Sequence, residues 1–346
     1  MLDHRNKTRI EHDKFCEPFG NIVKTSNSSH DFTLSSLKTH RSNQPTTIST
    51  RRGTRMTRPV FRFAPSPNGE MHLGNAYTAL LNAKLAAETG GRLLLRIENI
   101  DVTRCTRAFE EAIYRDLEWL GIEWELPVRR QSDHFDDYEE ALKHLVEEDL
   151  VYPSFLSRGE VRARISQTEA EGIEWPRDPD GVPLFPTDER TLSQGERERR
   201  MAADEPFAWR LNVEAASKRI AHPLTWDELG AGPSGQTGLV NATPTAWGDV
   251  VIARKEVPTS YHLSVVLDDA LQGVTHVVRG RDLFFATAIQ RLLQELLHLP
   301  VPVYRHHDLV LGDDGRKLAK SRGDTSLAAL RAAGLTPYDI RRMIGL

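Results

Sequence analysis

Arg62-Phe63-Ala64-Pro65-Ser66-Pro67-Asn68-Gly69-Glu70-Met71-His72-Leu73-Gly74-Asn75 is the stretch that decides the fold. It leaves an apolar run of strand length at residues 60–64, turns through Pro65, Pro67 and Gly69, and enters a helical pattern at His72 and Gly74. A helix starting there aims unpaired backbone N–H groups and the positive end of its dipole at one point, and Gly74 has no side chain to hold a nucleotide off the backbone. Those are the properties of a phosphate site. Taken alone, the same residues describe an ordinary capped βα junction equally well.

A second segment adds weight. Gly312-Asp313-Asp314-Gly315-Arg316-Lys317-Leu318-Ala319-Lys320-Ser321 sets a tight turn directly before two lysines and a serine. By itself it would be a solvated charged loop, as most such clusters are. Downstream of a His-x-Gly turn, its ammonium groups acquire a use, the neutralisation of charge developing on a transferring phosphate.

Outward from these two segments the chain alternates strand and helix patterns. Strands are expected at residues 60–64 and 92–98, with a helix at 73–88 between them that stops at Gly90-Gly91. Phe109, Ile113, Leu117 and Leu120 recur at helical spacing, as do Phe135, Tyr138, Leu142 and Leu145, and both stripes read as core. Further on come a strand at 248–254, a helix at 261–271, a strand at 275–278 and a helix at 283–297. The fold class is α/β, a Rossmann-like doubly wound parallel sheet whose ligands bind beyond the carboxyl ends of the strands. Pro176, Pro179, Pro183 and Pro186 interrupt the pattern, and the charged run 193–201 follows them. The expected organisation is therefore a polar N-terminal extension at 1–57, a first half of the nucleotide-binding fold at 58–150, an inserted α+β subdomain at 151–239, the second half with the lysine loop at 240–321, and a helical remnant at 322–346.

Composition fits a soluble enzyme. The chain has 346 residues, 39% hydrophobic and 27% charged, which is ordinary for a globular protein. The formal net charge of −4 provides no global basic field, so any binding of RNA would have to use local patches. No apolar run is of membrane-spanning length, and no secretory layout opens the chain. Two cysteines, Cys16 and Cys105, imply no disulfide framework and a reducing, cytoplasmic location. Residues 1–57 are rich in Ser, Thr, Asn, Lys and Arg and read as disordered. Asp3, Glu11, Asp13 and Glu17 argue against a transit peptide there, and Met56 is an alternative start.

The stretch from Pro65 to Asn75 resembles the "HIGH" signature of class I aminoacyl-tRNA synthetases, and Lys317-Leu318-Ala319-Lys320-Ser321 resembles their "KMSKS" loop. Arg62-Phe63-Ala64-Pro65-Ser66, Arg96-Ile97-Glu98-Asn99-Ile100-Asp101 and Gly273-Val274-Thr275-His276-Val277-Val278-Arg279-Gly280 are similar to the glutamate-specific branch. The resemblance runs from about Arg58 to the C-terminus and implies a class I synthetase fold with ATP, accompanied by Mg²⁺, as a substrate. It implies a glutamate site at Arg62, Phe63, Ala64, Pro65, Ser66, Glu98, Tyr261 and Arg279, with the arginines for carboxylates and Glu98 for the ammonium. It further implies an ATP site at His72, Gly74, Asn75, Lys320 and Ser321, with His72, Lys317 and Lys320 as the catalytic groups. Val265 stands where relatives tend to carry Asn, so one contact to the amino acid is missing.

Members of the branch that read an anticodon carry a long helical region after the lysine loop. Here only 325–331 and 337–344 remain as short helical patterns, too little for such a domain. The shortness resembles a branch that places L-glutamate on queuosine in the anticodon of tRNA(Asp). A monomer with neither DNA nor membrane partner is expected. Many relatives also hold zinc in the insertion; the corresponding positions here are Ser154, Leu156, Phe185 and Glu189, a set that implies loss of the metal. Open alternatives are a truncated glutamate-tRNA(Glu) ligase, another nucleotidyltransferase with a related turn, and a non-catalytic RNA-binding paralogue.

Overall fold

The computed structural model describes residues 58–311 and 325–346. The expected extension at 1–57 lies outside the described residues. Strand β1 (Val60–Phe63) leads through the Pro/Gly turn into helix α1 (Leu73–Glu88), and β2 (Arg92–Ile97) returns beside β1 in parallel register, Val60 opposite Arg92 and Phe63 opposite Leu95. Helix α1 ends where Gly90 takes φ 61°, a conformation that an L side chain resists. After α2 (Arg107–Trp119) comes β3 (Glu125–Arg130), and after it α3 (Phe135–Glu147) and β4 (Val151–Ser154).

The middle of the chain holds α4 (Arg158–Ala170), α5 (Gln194–Ala202), β5 (Ala208–Leu211), α6 (Val213–Lys218), β6 (Thr225–Glu228), β7 (Gly238–Asn241) and β8 (Val251–Arg254). Then follow α7 (Tyr261–Leu271), β9 (His276–Gly280), α8 (Thr287–Leu296) and β10 (Val303–His307), with α9 (Leu327–Ala332) and α10 (Pro337–Ile344) at the end. The central sheet has the order β3-β2-β1-β9-β10-β6-β7, parallel except for the β6–β7 hairpin. Chain direction across the sheet reverses between β1 and β9. That switch point is where a doubly wound sheet opens its ligand crevice.

Sheet membership departs from the expected boundaries in two places. β6 and β7, within or at the edge of the 151–239 segment, join the central sheet, where Trp226 and Glu228 are buried with β6 against β10. β8, expected in the nucleotide-binding half, instead pairs antiparallel with β5, which also pairs with β4. The expected helix at 283–297 is divided: Arg281–Leu283 forms a short 3₁₀ turn and the α-helix begins at Thr287.

Alternation along the strands sorts side chains onto two faces. Phe61, Phe63, Leu93, Leu95 and Ile97 pack with Ala76 and Leu80 of α1, Ile113 and Leu117 of α2, and Leu327 and Ile340 of the last two helices. Val60, Leu94, Val277 and Tyr304 face the other way, toward Trp226 and Phe284. By the same period Arg62, Arg96 and Arg279 share this second face, at 4%, 0% and 4% exposure. Helix α7 supplies the matching acids. Asp269 accepts from Arg62 Nε at 3.1 Å and from Arg96 Nη1 at 2.7 Å, while Asp268 accepts from Arg129 Nε at 2.6 Å, Gln131 at 2.8 Å and Tyr138 at 2.9 Å.

Asp268, itself wholly buried, thus ties α7 to β3 and α3. Removing it deprives two buried donors, Gln131 and Tyr138, of their acceptor and the Arg96 guanidinium of one of its three acids, and breaking such a buried network costs about 3 kcal/mol or more. Asp268→Ala is expected to lose that much stability in urea titration, and a loss below about 1 kcal/mol would contradict this account of the core.

Candidate active site

The turn after β1 and the start of α1 form one wall of a cleft of about 460 Å³ at the carboxyl edge of the sheet. His72 is the N-cap of α1: its Nδ1 accepts from the Gly74 N–H at 3.1 Å, and its own N–H donates to Asn75 Oδ1 at 3.1 Å. This reciprocal cap fixes the imidazole and leaves Nε2 to carry the proton of the neutral ring. Gly74 has a second reason to be glycine, since a Cβ there would come within 3.0 Å of the His72 ring. The sequence identifies Gly74 by its freedom of approach; the structure adds that it makes room for the capping histidine.

The rest of the lining combines two guanidinium groups with a carboxylate. Arg62, Ser66, Glu98, Tyr261 and Arg279 all line the cleft, together with Phe63, Ala64 and Pro65 of the turn. Arg62 is held at Nε by Asp269, and Glu98 Oε1 accepts from Arg96 Nη2 at 3.1 Å. Burial raises the Glu98 carboxyl above its ordinary value although Arg96 and Arg62 pull it down. A ligand ammonium beside it would favour the ionised form. Burial also opposes charge on Asp269, but Arg62 and Arg96 outweigh it and hold that carboxyl below the usual range. Arg279 donates from Nη1 to the Tyr261 hydroxyl at 3.4 Å and from Nη2 to Thr287 Oγ1 at 2.8 Å. Burial raises the Tyr261 hydroxyl, so it stays protonated as a donor.

Every described residue expected at the glutamate and ATP sites therefore meets in this one cleft. Lys317, Lys320 and Ser321 lie outside the described residues. The chain on either side of them is anchored at the cleft: Val310 lines it, and Ser326 pairs with His72 in an isolated antiparallel bridge. Val265 is buried in the core with Leu263 and Val266 and does not line the cleft.

Thr78 and His307 also line the cleft, and the sequence reading missed them. Thr78 Oγ1 lies 3.0 Å from His307 Nε2 and donates to the Gly74 carbonyl at 3.1 Å. Thr78 stands one helical turn beyond Gly74, a spacing that could have flagged it. His307 ends β10, a strand with no distinctive sequence pattern.

With this geometry in view, comparison with known proteins is informative. Residues 60–346 match the family described as tRNA synthetases class I (E and Q), catalytic domain. A glutamyl-Q tRNA(Asp) synthetase of Rhodobacter capsulatus is 46% identical over 288 residues, covering 83% of this chain and 100% of that protein. The chain belongs to the glutamyl-Q tRNA(Asp) synthetase family of class I synthetases. A glutamate–tRNA ligase of Syntrophus aciditrophicus is 34% identical over 84% of this chain, which spans 57% of that ligase. The crystal structure of glutamate-tRNA synthetase from Elizabethkingia anophelis matches with a TM-score of 0.64 and 25% identity, over 77% of this chain and 53% of that one.

The positions expected to correspond to zinc ligands do not make a donor set. Leu156 and Phe185 offer no ligand atom, and the Phe185 ring lies 3.2 Å beneath the Arg210 guanidinium. Glu189 Oε2 is committed to the Ser154 hydroxyl at 2.6 Å and to the amides of Phe155 and Leu156 at 3.0 and 3.2 Å. Among the described residues no cluster of His, Cys, Asp and Glu could hold a metal. A carboxylate bound to two amides and a hydroxyl ties the end of β4 to the segment around residue 189 without a metal. Dialysis against a strong chelator is expected to leave the melting temperature unchanged, whereas a structural zinc would make it fall. Elemental analysis finding one zinc per chain would overturn this reading.

Proposed function

We propose that this chain activates L-glutamate with ATP to glutamyl-adenylate and transfers the glutamyl group to queuosine in the anticodon of tRNA(Asp). The observation that carries the proposal is the pairing, within one cleft, of a capped helix N-terminus at His72 with a carboxylate-and-ammonium site made by Arg62, Arg279 and Glu98. The full-length match to a glutamyl-Q tRNA(Asp) synthetase supports the acceptor.

In this reading ATP enters as its magnesium complex and lies over His72 and Gly74. The α-carboxylate oxygen of glutamate attacks the α-phosphorus in line; the bond to the β-phosphate breaks and pyrophosphate leaves. No protein nucleophile is required. His72, Lys320 and Lys317 bind oxygens whose negative charge grows in the transition state, and Ser321 and Asn75 help seat the nucleotide. The anchoring of both flanks of the lysine loop at the cleft, one of them on His72 itself, supports its acting on the same ATP. A hydroxyl of queuosine then attacks the glutamyl carbonyl, and AMP departs as the ester forms.

Glutamate-dependent ATP–pyrophosphate exchange without RNA tests the first step. Lys320→Ala is expected to slow it at least about a hundredfold, the loss of one preorganised donor to a developing charge. Near-normal exchange in that variant would remove the lysine from the mechanism.

The acceptor is tested separately with radiolabelled glutamate and tRNA(Asp) prepared with and without queuosine. Label is expected only on the queuosine-bearing RNA. Label at the 3′ end of tRNA(Glu) would favour a glutamate–tRNA ligase, and exchange with no transfer to either RNA would leave only the activation step standing.

A further inference from the structure

Arg279 is not held in the cleft by the Tyr261 hydroxyl alone. Its Nε donates to His306 Nε2 at 3.1 Å, and His306 Nδ1 lies 2.6 Å from Glu228 Oε2. Sheet register makes the first contact, because His306 stands directly opposite Arg279 on the neighbouring parallel strand. Close approach makes the second: a Cβ at Gly230 would fall 2.1 Å from the His306 carbonyl oxygen, so only glycine lets the end of β6 lie this near β10. All three side chains are buried, at 1% exposure for Glu228, 2% for His306 and 4% for Arg279.

We propose that Glu228 and His306 are positioning residues that aim Arg279 at the substrate carboxylate by fixing the tautomer of the imidazole between them. The direction of each hydrogen bond follows from the ends of the chain. Both Glu228 oxygens already act as acceptors, Oε1 from the amides of Gly230 and His306 at 2.8 Å each and Oε2 from Trp226 Nε1 at 3.3 Å. His306 must therefore donate through Nδ1, which leaves Nε2 with a lone pair. Arg279 Nε carries a hydrogen and finds an acceptor there. With Nε tied back to His306 and Nη2 to Thr287, the guanidinium has one orientation. Burial, against the pull of the Glu228 carboxylate, takes His306 down to about 4, so the ring stays neutral and an acceptor at physiological pH.

The proposal rests on the reading of Arg279 as a glutamate-binding residue, and its test is designed to separate the two. Glu228→Gln is nearly isosteric, but it replaces one acceptor oxygen by an NH2 donor, and with its oxygen kept on the amides of Gly230 and His306 that NH2 takes the place of Oε2. Facing His306 Nδ1 it forces the proton onto Nε2, where it meets the Arg279 N–H. His306→Asn keeps a group near Nδ1 and loses the acceptor near Nε2; His306→Gln does the reverse. In glutamate-dependent ATP–pyrophosphate exchange, Glu228→Gln and His306→Asn are expected to raise the KM for glutamate at least about tenfold, the scale of one hydrogen bond to a charged group. The KM for ATP should stay within about twofold, and His306→Gln should give a clearly smaller rise than His306→Asn. A glutamate KM unchanged in Glu228→Gln, or glutamate and ATP constants rising together in all three variants, would overturn the relay while leaving the proposed activity intact.

A direct readout does not depend on catalysis. Imidazole ¹⁵N spectra, with the His306 signal assigned by its disappearance in His306→Gln, should report the Nδ1–H tautomer in the parent chain and the Nε2–H tautomer in Glu228→Gln. A protonated ring or an Nε2–H tautomer in the parent chain refutes the relay. Absence of exchange in the parent chain with the expected tautomers refutes the activity instead.

Discussion

Three arginines buried on one face of a parallel sheet set the terms for the rest of this molecule. Arg62, Arg96 and Arg279 point away from the α1 side by strand alternation, and a buried guanidinium is tolerable only with acids or acceptors at hydrogen-bond distance. Two consecutive aspartates near the end of α7 satisfy the first two arginines. His306, Tyr261 and Thr287 satisfy the third. The same constraint explains why β6, reached only after the inserted segment, is drawn into the central sheet: it brings the carboxylate that His306 needs.

The cleft inherits its polarity from this arrangement. Positive groups stand at the carboxyl edge already oriented, and Glu98 is set among them by its bond to Arg96. Such preorganisation is what distinguishes a recognition site from a set of surface ion pairs, because the supporting contacts are desolvated before any ligand arrives. Across the cleft, His72 achieves comparable order with a local device, a helix cap closed within four residues.

Much of this was legible beforehand. The strand, turn and helix around His72 depend on neighbours in sequence, and the helical stripes of Ile113 and Leu117, and of Tyr138, Leu142 and Leu145, became buried faces of α2 and α3. The arginines and Glu98 were identifiable by the motifs around them. Their partners distant in sequence, Tyr261 apart, were not. Asp269 lies 207 residues from Arg62, and Glu228 lies 78 residues from His306, in a segment whose prolines and charges read as insertion. β10 carries a histidine pair and an arginine and has no apolar alternation strong enough to mark it as an inner strand of the sheet.

The sequence by itself determined where α1 begins, which way the strand residues face and which side chains could meet a carboxylate, an ammonium or a phosphate, because caps, pleats and side-chain chemistry act over a few residues. Only the tertiary structure decided which charges neutralise one another, what holds Arg279 in one orientation, and that Glu189 Oε2 is engaged by the end of β4. Those outcomes depend on the register between strands far apart in the chain, and a buried ion pair forms or fails over distances of a few tenths of an ångström that no local pattern encodes.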